Sequence, residues 1–205
     1  TNLSRLDQSS RYDAIQERID TEAFSDYVLL NWIVGMGDWP HNNFYAGIRN
    51  EPAGRIQYFA WDSEYAFWTI EGYLGSNPTA WVHPRFQSTN TTITKLWNAL
   101  AANPDFLMTF ADRVHRHCFN EGALTDKDLR ERFQRLATAI EDAIVAESAR
   151  WGDSAWGREN NPHTLENTFI PNRDAVLNLI DGNVATFVAA LRKRGFYPDL
   201  DPPQL

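Results

Sequence analysis

Apolar residues recur at helical spacing through much of this chain. The pattern is clearest in residues 92–102, where they follow the i, i+3, i+4, i+7 spacing of one buried helical face. These positions are Ile93, Leu96, Trp97 and Leu100. The same pattern, with capping residues, glycines and prolines at the ends, predicts further helices over 20–35, 103–119, 125–150, 165–180 and 184–194.

The longest predicted helix, over residues 125–150, has the most regular apolar stripe. Its members are Leu129, Phe133, Leu136, Ile140 and Ile144. Because they follow one another at intervals of three or four residues, they share one face of the helix. We expect that face to be buried.

Two β-rich runs, residues 43–49 and 55–61, flank a turn that contains Pro52 and Gly54. This pattern predicts a β-hairpin. The second run is nearly all apolar, so we expect both faces of the hairpin to be covered. Residues 70–90 contain glycine, proline, Asn and Ser without periodicity, which predicts an irregular connection.

Composition and charge exclude several classes of protein. Hydrophobic residues make up 43% of the 205 residues, so the chain can form a globular core and is not disordered throughout. The net charge of -8 argues against nucleic acid as a partner. No apolar stretch approaches the roughly 20 residues of a transmembrane helix, so we expect no membrane span. The single cysteine, Cys118, excludes an internal disulfide and any site of several thiolates, and we expect it to be buried.

Three oxygen-bearing side chains stand where the predicted hairpin begins and ends. Asp38 precedes its first strand, Asn43 begins that strand, and Asp62 follows the second. A turn centred on Pro52 and Ala53 pairs residues whose numbers sum to about 105, which sets Asn43 opposite Asp62. Carboxylate and amide oxygens suit Mg²⁺, which keeps some waters and also binds substrate phosphates. The spacing therefore indicates that these side chains could hold a magnesium ion.

The order Asp-x4-Asn, strand pair, Asp also has the form of the protein-kinase catalytic loop. In kinases the first Asp orients the acceptor hydroxyl, and the Asn and second Asp hold the metals that bridge the phosphates. The spacing alone is a weak signal. An Asp after a helix-ending glycine, like a pair of asparagines, is also common in ordinary turns. From these residues alone both interpretations stay open.

Several segments resemble the CotH kinase family, named after spore coat protein H. They include Ala23–Asn31, and the most specific are Gly37–Tyr45 with its Asp-Trp-Pro-His-Asn-Asn-Phe-Tyr run and Arg55–Asp62, which ends in Trp-Asp. Later segments similar to the helical part of that family are Asn103–Phe106, Ala149–Gly152 and Gly195–Pro198. The resemblance therefore extends over most of the chain, from about residue 10 to residue 203.

This resemblance implies an α+β, mostly helical fold: an atypical protein-kinase-like C-terminal lobe with a catalytic-loop hairpin and a bundle of C-terminal helices. It implies phosphoryl transfer from ATP, with Mg²⁺, to Ser or Thr of a secreted or cell-surface bacterial protein. Asp38 would be the catalytic residue, and Asn43 and Asp62 would hold the metal. Accessory candidates are Asn42, Glu64 and His41. Glu64 stands where the family commonly has a second Asp, which puts its role as a ligand in question.

The sequence also suggests how such a lobe is organised. We expect the lobe over residues 1–196, its catalytic loop in 35–64, its helical part in 91–196, and a linker over 197–205. Every lysine follows Asp62; they are Lys95, Lys127 and Lys193. Kinase chemistry also needs a preceding lobe that covers the phosphates and supplies a Lys. We therefore expect that lobe, and further extracellular modules, to lie outside these 205 residues, and this fragment alone to bind ATP weakly and transfer no phosphate.

Two other functions fit parts of the sequence. A glycosidase would use paired carboxylates among Asp38, Asp62 and Glu64 in tryptophan-rich surroundings, and would need neither Mg²⁺ nor nucleotide. A non-catalytic cell-surface or carbohydrate-binding module would rely on exposed aromatic side chains, and its binding would survive Asp38→Ala. The kinase-like lobe is the leading hypothesis, and the surface module is its main alternative.

Overall fold

Helices make up most of the structure. The computed structural model describes residues 3–37, 39–50, 54–67, 91–154 and 161–200. Within them the helices are α1 (Ser9–Gln16), α2 (Thr21–Ile33), α3 (Thr92–Leu100), α4 (Pro104–Cys118), α5 (Asp126–Trp151), a π-helix (Leu165–Phe169), α6 (Ile170–Ile180) and α7 (Asn183–Lys193). The strands β1 (Phe44–Gly47) and β2 (Gln57–Ala60) pair antiparallel. The fold is therefore α+β and mostly helical, as predicted.

The chain forms two compact units. The first contains residues 1–120 and 185–205, and the second contains residues 121–184. We call the first the hairpin unit, because it includes β1 and β2. We call the second the long-helix unit, because it includes α5.

The predicted helices are confirmed to within a few residues at each end. Helix α1 is not predicted, because only Tyr12 and Ile15 of its eight residues are buried and no side-chain cap marks its start. The expected irregular connection over 70–90 lies outside the described residues. No single described helix is long and apolar enough to cross a bilayer, and Leu165–Ile180 with Asn183–Lys193 meets that criterion only when the two are added together across a bend.

Aromatic rings form the centre of the hairpin unit. Trp32 of α2 and Trp97 of α3 meet edge to face with ring centroids 4.6 Å apart, and Phe110 of α4 packs against them at 5.8 and 4.9 Å. Phe196 lies 6.0 Å from Trp32 and 5.2 Å from Trp97. Such ring pairs contribute about 0.5–1.5 kcal/mol each beyond the burial of area. The cluster therefore holds α2, α3 and α4 together, and the predicted apolar face of α3 is buried within it.

Asn103 begins α4 and ties it to the start of the chain. Its Oδ1 accepts the backbone N–H groups of Asp105 at 2.8 Å and Phe106 at 3.4 Å. Its Nδ2 donates to the carbonyl of Leu6 at 2.7 Å. Asn103 is 1% exposed, so both ends of its amide are satisfied away from water.

The start of α2 is connected to the hairpin through Asp20. Its carboxylate caps α2 by accepting the N–H of Ala23 at 3.1 Å, and it also accepts from the Arg55 guanidinium at 3.1 Å. Ile19 forms a parallel bridge with Ile56, immediately before β2. The root of the second strand is thus fixed to the residues that begin α2.

One face of the hairpin is exposed, so the expectation that both faces are covered is wrong. Tyr58 points inward and packs on Phe24, with ring centroids 5.2 Å apart. The alternate positions Tyr45, Phe59 and Trp61 are 56%, 51% and 56% exposed. Successive side chains of a strand point to opposite faces, so an apolar run cannot show that both faces are covered.

In the long-helix unit, α5 packs against α6 and the π-helix. The Arg130 guanidinium donates to both carboxylate oxygens of Asp181, at 3.1 and 2.7 Å. Arg173 pairs with Glu141 at 3.3 Å. The carboxylate of Asp126 accepts the N–H of Gly182 at 2.9 Å. These polar contacts join the first half of α5, together with Glu141, to the chain around α6.

The predicted buried stripe of α5 is wrong in its centre. Leu136 is 53% exposed and Ile140 is 48% exposed, whereas Ala137 is the residue of α5 that is buried. Glu141 pairs with Arg173 of α6, and Ala137 lies one turn before it on the same side of α5, so the stripe lies away from that contact. Periodicity identifies an apolar face but does not show which neighbour covers it.

The first residues of the predicted linker pack on the hairpin unit. Tyr197 is buried, and its ring stacks on Phe119 at 6.0 Å. The Arg192 guanidinium donates to the carbonyls of Pro198 at 3.2 Å and Leu200 at 2.8 Å. Residues 201–205 lie outside the described part of the chain.

Asn103→Ala should destabilise the protein by about 2–3 kcal/mol, because it removes the cap of α4 and leaves the Leu6 carbonyl without this donor. Chemical denaturation followed by circular dichroism measures the loss. Asn103→Ser is the matched control, since it keeps a capping oxygen, adds no charge and loses only the contact with Leu6, and it should lose less. Equal losses in both variants would contradict the capping role.

Candidate functional site

The hairpin brings Asn43 and Asp62 together at its open end. Asn43 directly precedes β1, and Asp62 follows β2 by two residues. The Nδ2 of Asn43 donates to the backbone carbonyl of Asp62 at 3.1 Å. The observed register pairs Phe44 with Ala60, a sum one lower than the predicted 105. The predicted proximity is therefore correct, although the strict partner in the ladder is shifted by one residue.

Asn43 and Asp62 share an uncommon backbone conformation. Their φ angles are 57° and 54°, in the left-handed region. Asn and Asp enter this region more readily than other side-chain-bearing residues, because their short polar groups can hydrogen-bond locally. Asn and Asp at these two positions are thus compatible with the left-handed backbone conformation, and their side-chain oxygens can also act as metal ligands.

Backbone hydrogen bonds fix the residues that precede Asp38 in the sequence. The N–H of Gly37 donates to the carbonyl of Tyr65 at 3.3 Å, and the N–H of Phe67 donates to the carbonyl of Val34 at 2.7 Å. The residues just before the loop are thereby held beside the segment that follows Asp62. Asp38 itself lies outside the described residues.

Trp39 anchors the other side of position 38. It is 1% exposed, and its indole N–H donates to the phenol oxygen of Tyr27. Burial raises the pKa of Tyr27 well above its ordinary range, against the opposing effect of this hydrogen bond. Tyr27 therefore stays protonated at neutral pH. Its ring also stacks on Tyr58 of β2 at 5.7 Å, so loop and hairpin rest on the same side chain.

The remaining candidates surround this hairpin end on the surface. Asp62 is exposed and Asn43 is half-exposed. The accessory candidates His41, Asn42 and Glu64 are all exposed as well. No cluster of three or more His, Cys, Asp or Glu suited to a metal occurs among the described residues, a set that lacks Asp38. Whether the three predicted oxygen donors converge on a cation therefore stays a prediction.

Exposed rings begin directly beside the two oxygen donors. Trp61, next to Asp62, meets Tyr45 edge to face with centroids 5.2 Å apart. Tyr45 pairs across the sheet with Phe59. Tyr45 is not among the site residues predicted from the sequence, although the alternation of side chains in β1 puts it on the face opposite Phe44. Trp39, which directly follows Asp38 in the sequence, is part of the buried core.

Helices α2 and α4 are joined by a charged cluster that the sequence analysis also misses. The Nε of Arg113 donates to Asp26 at 2.6 Å, and the Nε2 of His117 lies 3.0 Å from the same carboxylate. The sequence does not indicate this cluster, because Asp26 lies 87 residues before Arg113. Cys118, one residue further, is buried as predicted.

The fold and this hairpin end define an α+β protein with surface oxygen ligands beside an aromatic face. A comparison with protein-family models finds a match to one described as CotH kinase protein, over residues 1–177. The chain therefore belongs to the CotH kinase protein family. No curated protein and no solved structure matches it.

Asp62→Gly should be more stable than Asp62→Ala by about 1 kcal/mol, because alanine is strained at a positive φ and glycine is not. Urea denaturation of the two variants measures this difference. Ser63 is the control, since it is not among the described residues with positive φ, and there alanine should be the more stable substitution. The same order at both positions would contradict the left-handed conformation of Asp62.

Proposed function

We propose that this chain is the C-terminal catalytic lobe of an ATP- and Mg²⁺-dependent protein Ser/Thr kinase. In this proposal Asp38 orients the acceptor hydroxyl, and Asn43 and Asp62 hold the metal. The observation that carries it is the hydrogen bond from the Asn43 amide to the Asp62 carbonyl, which joins the two proposed metal-binding residues at one end of the hairpin. Membership of the CotH kinase protein family supports the same function.

The orientation of Asn43 suits a metal ligand. Its amide nitrogen makes the bond to the Asp62 carbonyl, so the amide oxygen is the atom left to face a cation. Magnesium takes oxygen ligands, usually one or two from protein together with water and phosphate. When bound, the ion would neutralise charge on the phosphates of the nucleotide.

The chemistry proposed for Asp38 is the positioning of the acceptor. The hydroxyl oxygen of a Ser or Thr attacks the γ-phosphorus, the bond to the oxygen bridging β- and γ-phosphorus breaks, and ADP leaves. The proton of the hydroxyl passes to the Asp38 carboxylate. The buried Trp39 would fix the backbone on one side of Asp38 during this transfer.

The exposed rings support nucleotide binding beside the metal. A base stacked on an aromatic side chain gains about 1–3 kcal/mol, and an exposed face is needed for that contact. Tyr45 lies two residues after Asn43, and Trp61 directly precedes Asp62. A base on these two rings would therefore leave its phosphates near the proposed metal ligands.

The whole enzyme is proposed to act on a secreted or cell-surface protein. The lobe that precedes the catalytic loop in kinases would be supplied from outside these residues, as would any further extracellular modules. Residues His41, Asn42 and Glu64 are exposed around the hairpin end and are proposed as accessory groups that contact substrate, phosphate or a metal-bound water.

A non-catalytic surface module is the second candidate, and the same exposed face favours it. Tyr45, Phe59 and Trp61 form a continuous apolar surface, and aromatic faces also stack on sugar rings. This module would not depend on Mg²⁺. Of the two candidates, the kinase lobe accounts for the oxygen donors as well as for the rings.

Asp38→Asn and Asp62→Asn should each lower phosphoryl transfer by roughly a hundredfold or more in the protein that also carries the preceding lobe, since each removes a group used at the reacting centre. Transfer of labelled phosphate from ATP in the presence of Mg²⁺ measures this. Asp13→Asn is the control, because Asp13 is exposed on α1, and it should transfer phosphate normally. Unchanged transfer in the Asp38 and Asp62 variants would refute the proposed catalytic role, and robust transfer by these 205 residues alone would refute the need for a preceding lobe.

Trp61→Ala and Tyr45→Leu should weaken binding of ATP and of adenosine about tenfold each in that same protein, because they remove the stacking surface. Isothermal titration calorimetry with ATP, adenosine and inorganic triphosphate separates the contributions. Triphosphate with Mg²⁺ should bind these variants normally and bind Asp62→Asn weakly. If the ring variants instead lose binding of oligosaccharides and keep that of adenosine, the surface-module function is the correct one.

A further inference from the structure

Helix α5 has an exposed apolar surface that the known contacts of its unit do not use. Leu136 and Ile140 are 53% and 48% exposed and lie one turn apart. Ala139 and Ala143 are exposed on the same side of the helix. Contact with α6 is made on another side of α5, where Glu141 pairs with Arg173. A surface of two large and two small apolar residues is therefore left open along the middle of α5.

Charges of opposite sign stand at the two ends of this surface. Arg132 precedes it and Glu147 follows it, on the same side of the helix, and both are exposed. Fifteen residues separate them, a distance of about 22 Å along a helix. Arg132 gives one N–H to the carbonyl of Ala123 at 3.0 Å, and the guanidinium has further donors for another partner.

We propose that this surface binds the same surface of a second copy of the chain, with the two α5 helices antiparallel. A twofold axis between positions 139 and 140 sets Arg132 opposite Glu147 of the other copy, and the reverse. Both charged ends of the surface are then paired with an opposite charge. A parallel arrangement would put Arg132 against Arg132 and Glu147 against Glu147, so charge selects the antiparallel one.

The same axis matches the apolar residues by size. Leu136 lies opposite Ala143 of the other copy, and Ile140 lies opposite Ala139. Large side chains therefore face small ones at all four positions, which lets the helices approach closely without voids. Because every contact is repeated by the twofold axis, one surface serves both partners, as in most homodimers.

Neighbouring charges along α5 favour this arrangement too. Residues 126–138 contain four basic and three acidic side chains, and residues 139–151 contain one basic and three acidic. Antiparallel pairing sets the more basic half of one helix against the more acidic half of the other. The interaction is electrostatic at its ends, so it should weaken as salt concentration rises.

Sedimentation equilibrium of the 205-residue chain over a wide concentration range tests the proposal. The unaltered chain should form a dimer, and Leu136→Glu should shift the equilibrium at least tenfold toward monomer. Val145→Glu is the matched control. Val145 is 55% exposed on the same helix, nine residues on and thus on the opposite side, and its substitution should leave the dimer intact.

Charge reversal gives a second test that does not depend on the apolar core. Arg132→Glu alone should weaken the dimer, and so should Glu147→Arg alone, because each sets like charges against each other. The double variant should restore dimerisation, since both pairs are then re-formed with reversed sign. An unaltered chain that stays monomeric, a dimer that survives Leu136→Glu, or a double variant that fails to recover would each overturn the proposal. If circular dichroism shows that Leu136→Glu unfolds the chain, the charge-reversal variants alone test the proposed dimer.

Discussion

The buried phenol of Tyr27 is the contact on which the candidate site depends. Its oxygen accepts the indole N–H of Trp39, which fixes the loop, and its ring stacks on Tyr58, which fixes the hairpin. Helix α2 also holds the site at both of its ends, through Asp20 at its start and the Val34 carbonyl just past its last turn. A single helix therefore sets the position of the loop and both strands, and its own position is set by the aromatic core.

Local features of the fold could be predicted from the sequence, and the choice of neighbours could not. Helix ends follow from caps such as Asn103, which act within one turn, and the hairpin follows from a turn flanked by β-rich runs. The exposure of Leu136 could not be read in the same way, because it depends on which side of α5 contacts α6. Periodicity describes a face of a helix, whereas burial depends on a second element at any distance in the sequence.

The proximity of two candidate site residues could be predicted from the pairing of the two strands about their turn. Pairing the strands about the predicted turn puts Asn43 beside Asp62. The structure has the two residues in contact, with the strand register shifted by one residue. The pairing arithmetic carries no information on backbone conformation, so it could not predict the positive φ angles of both residues. It is equally blind to contacts such as Trp39 with Tyr27, since these depend on how a loop folds back on a helix.

The opening segment of the chain depends on partners that are made much later during synthesis. Leu6 is held by Asn103, and Ile19 is bridged to Ile56. A ribosome that adds about 5–20 residues each second would release the first twenty residues seconds before the last of these partners emerges. Until then, buried residues such as Leu6 have no native place to dock. The few apolar side chains of this mostly polar segment, Leu6 among them, therefore reach their native burial only after α4 has been synthesised.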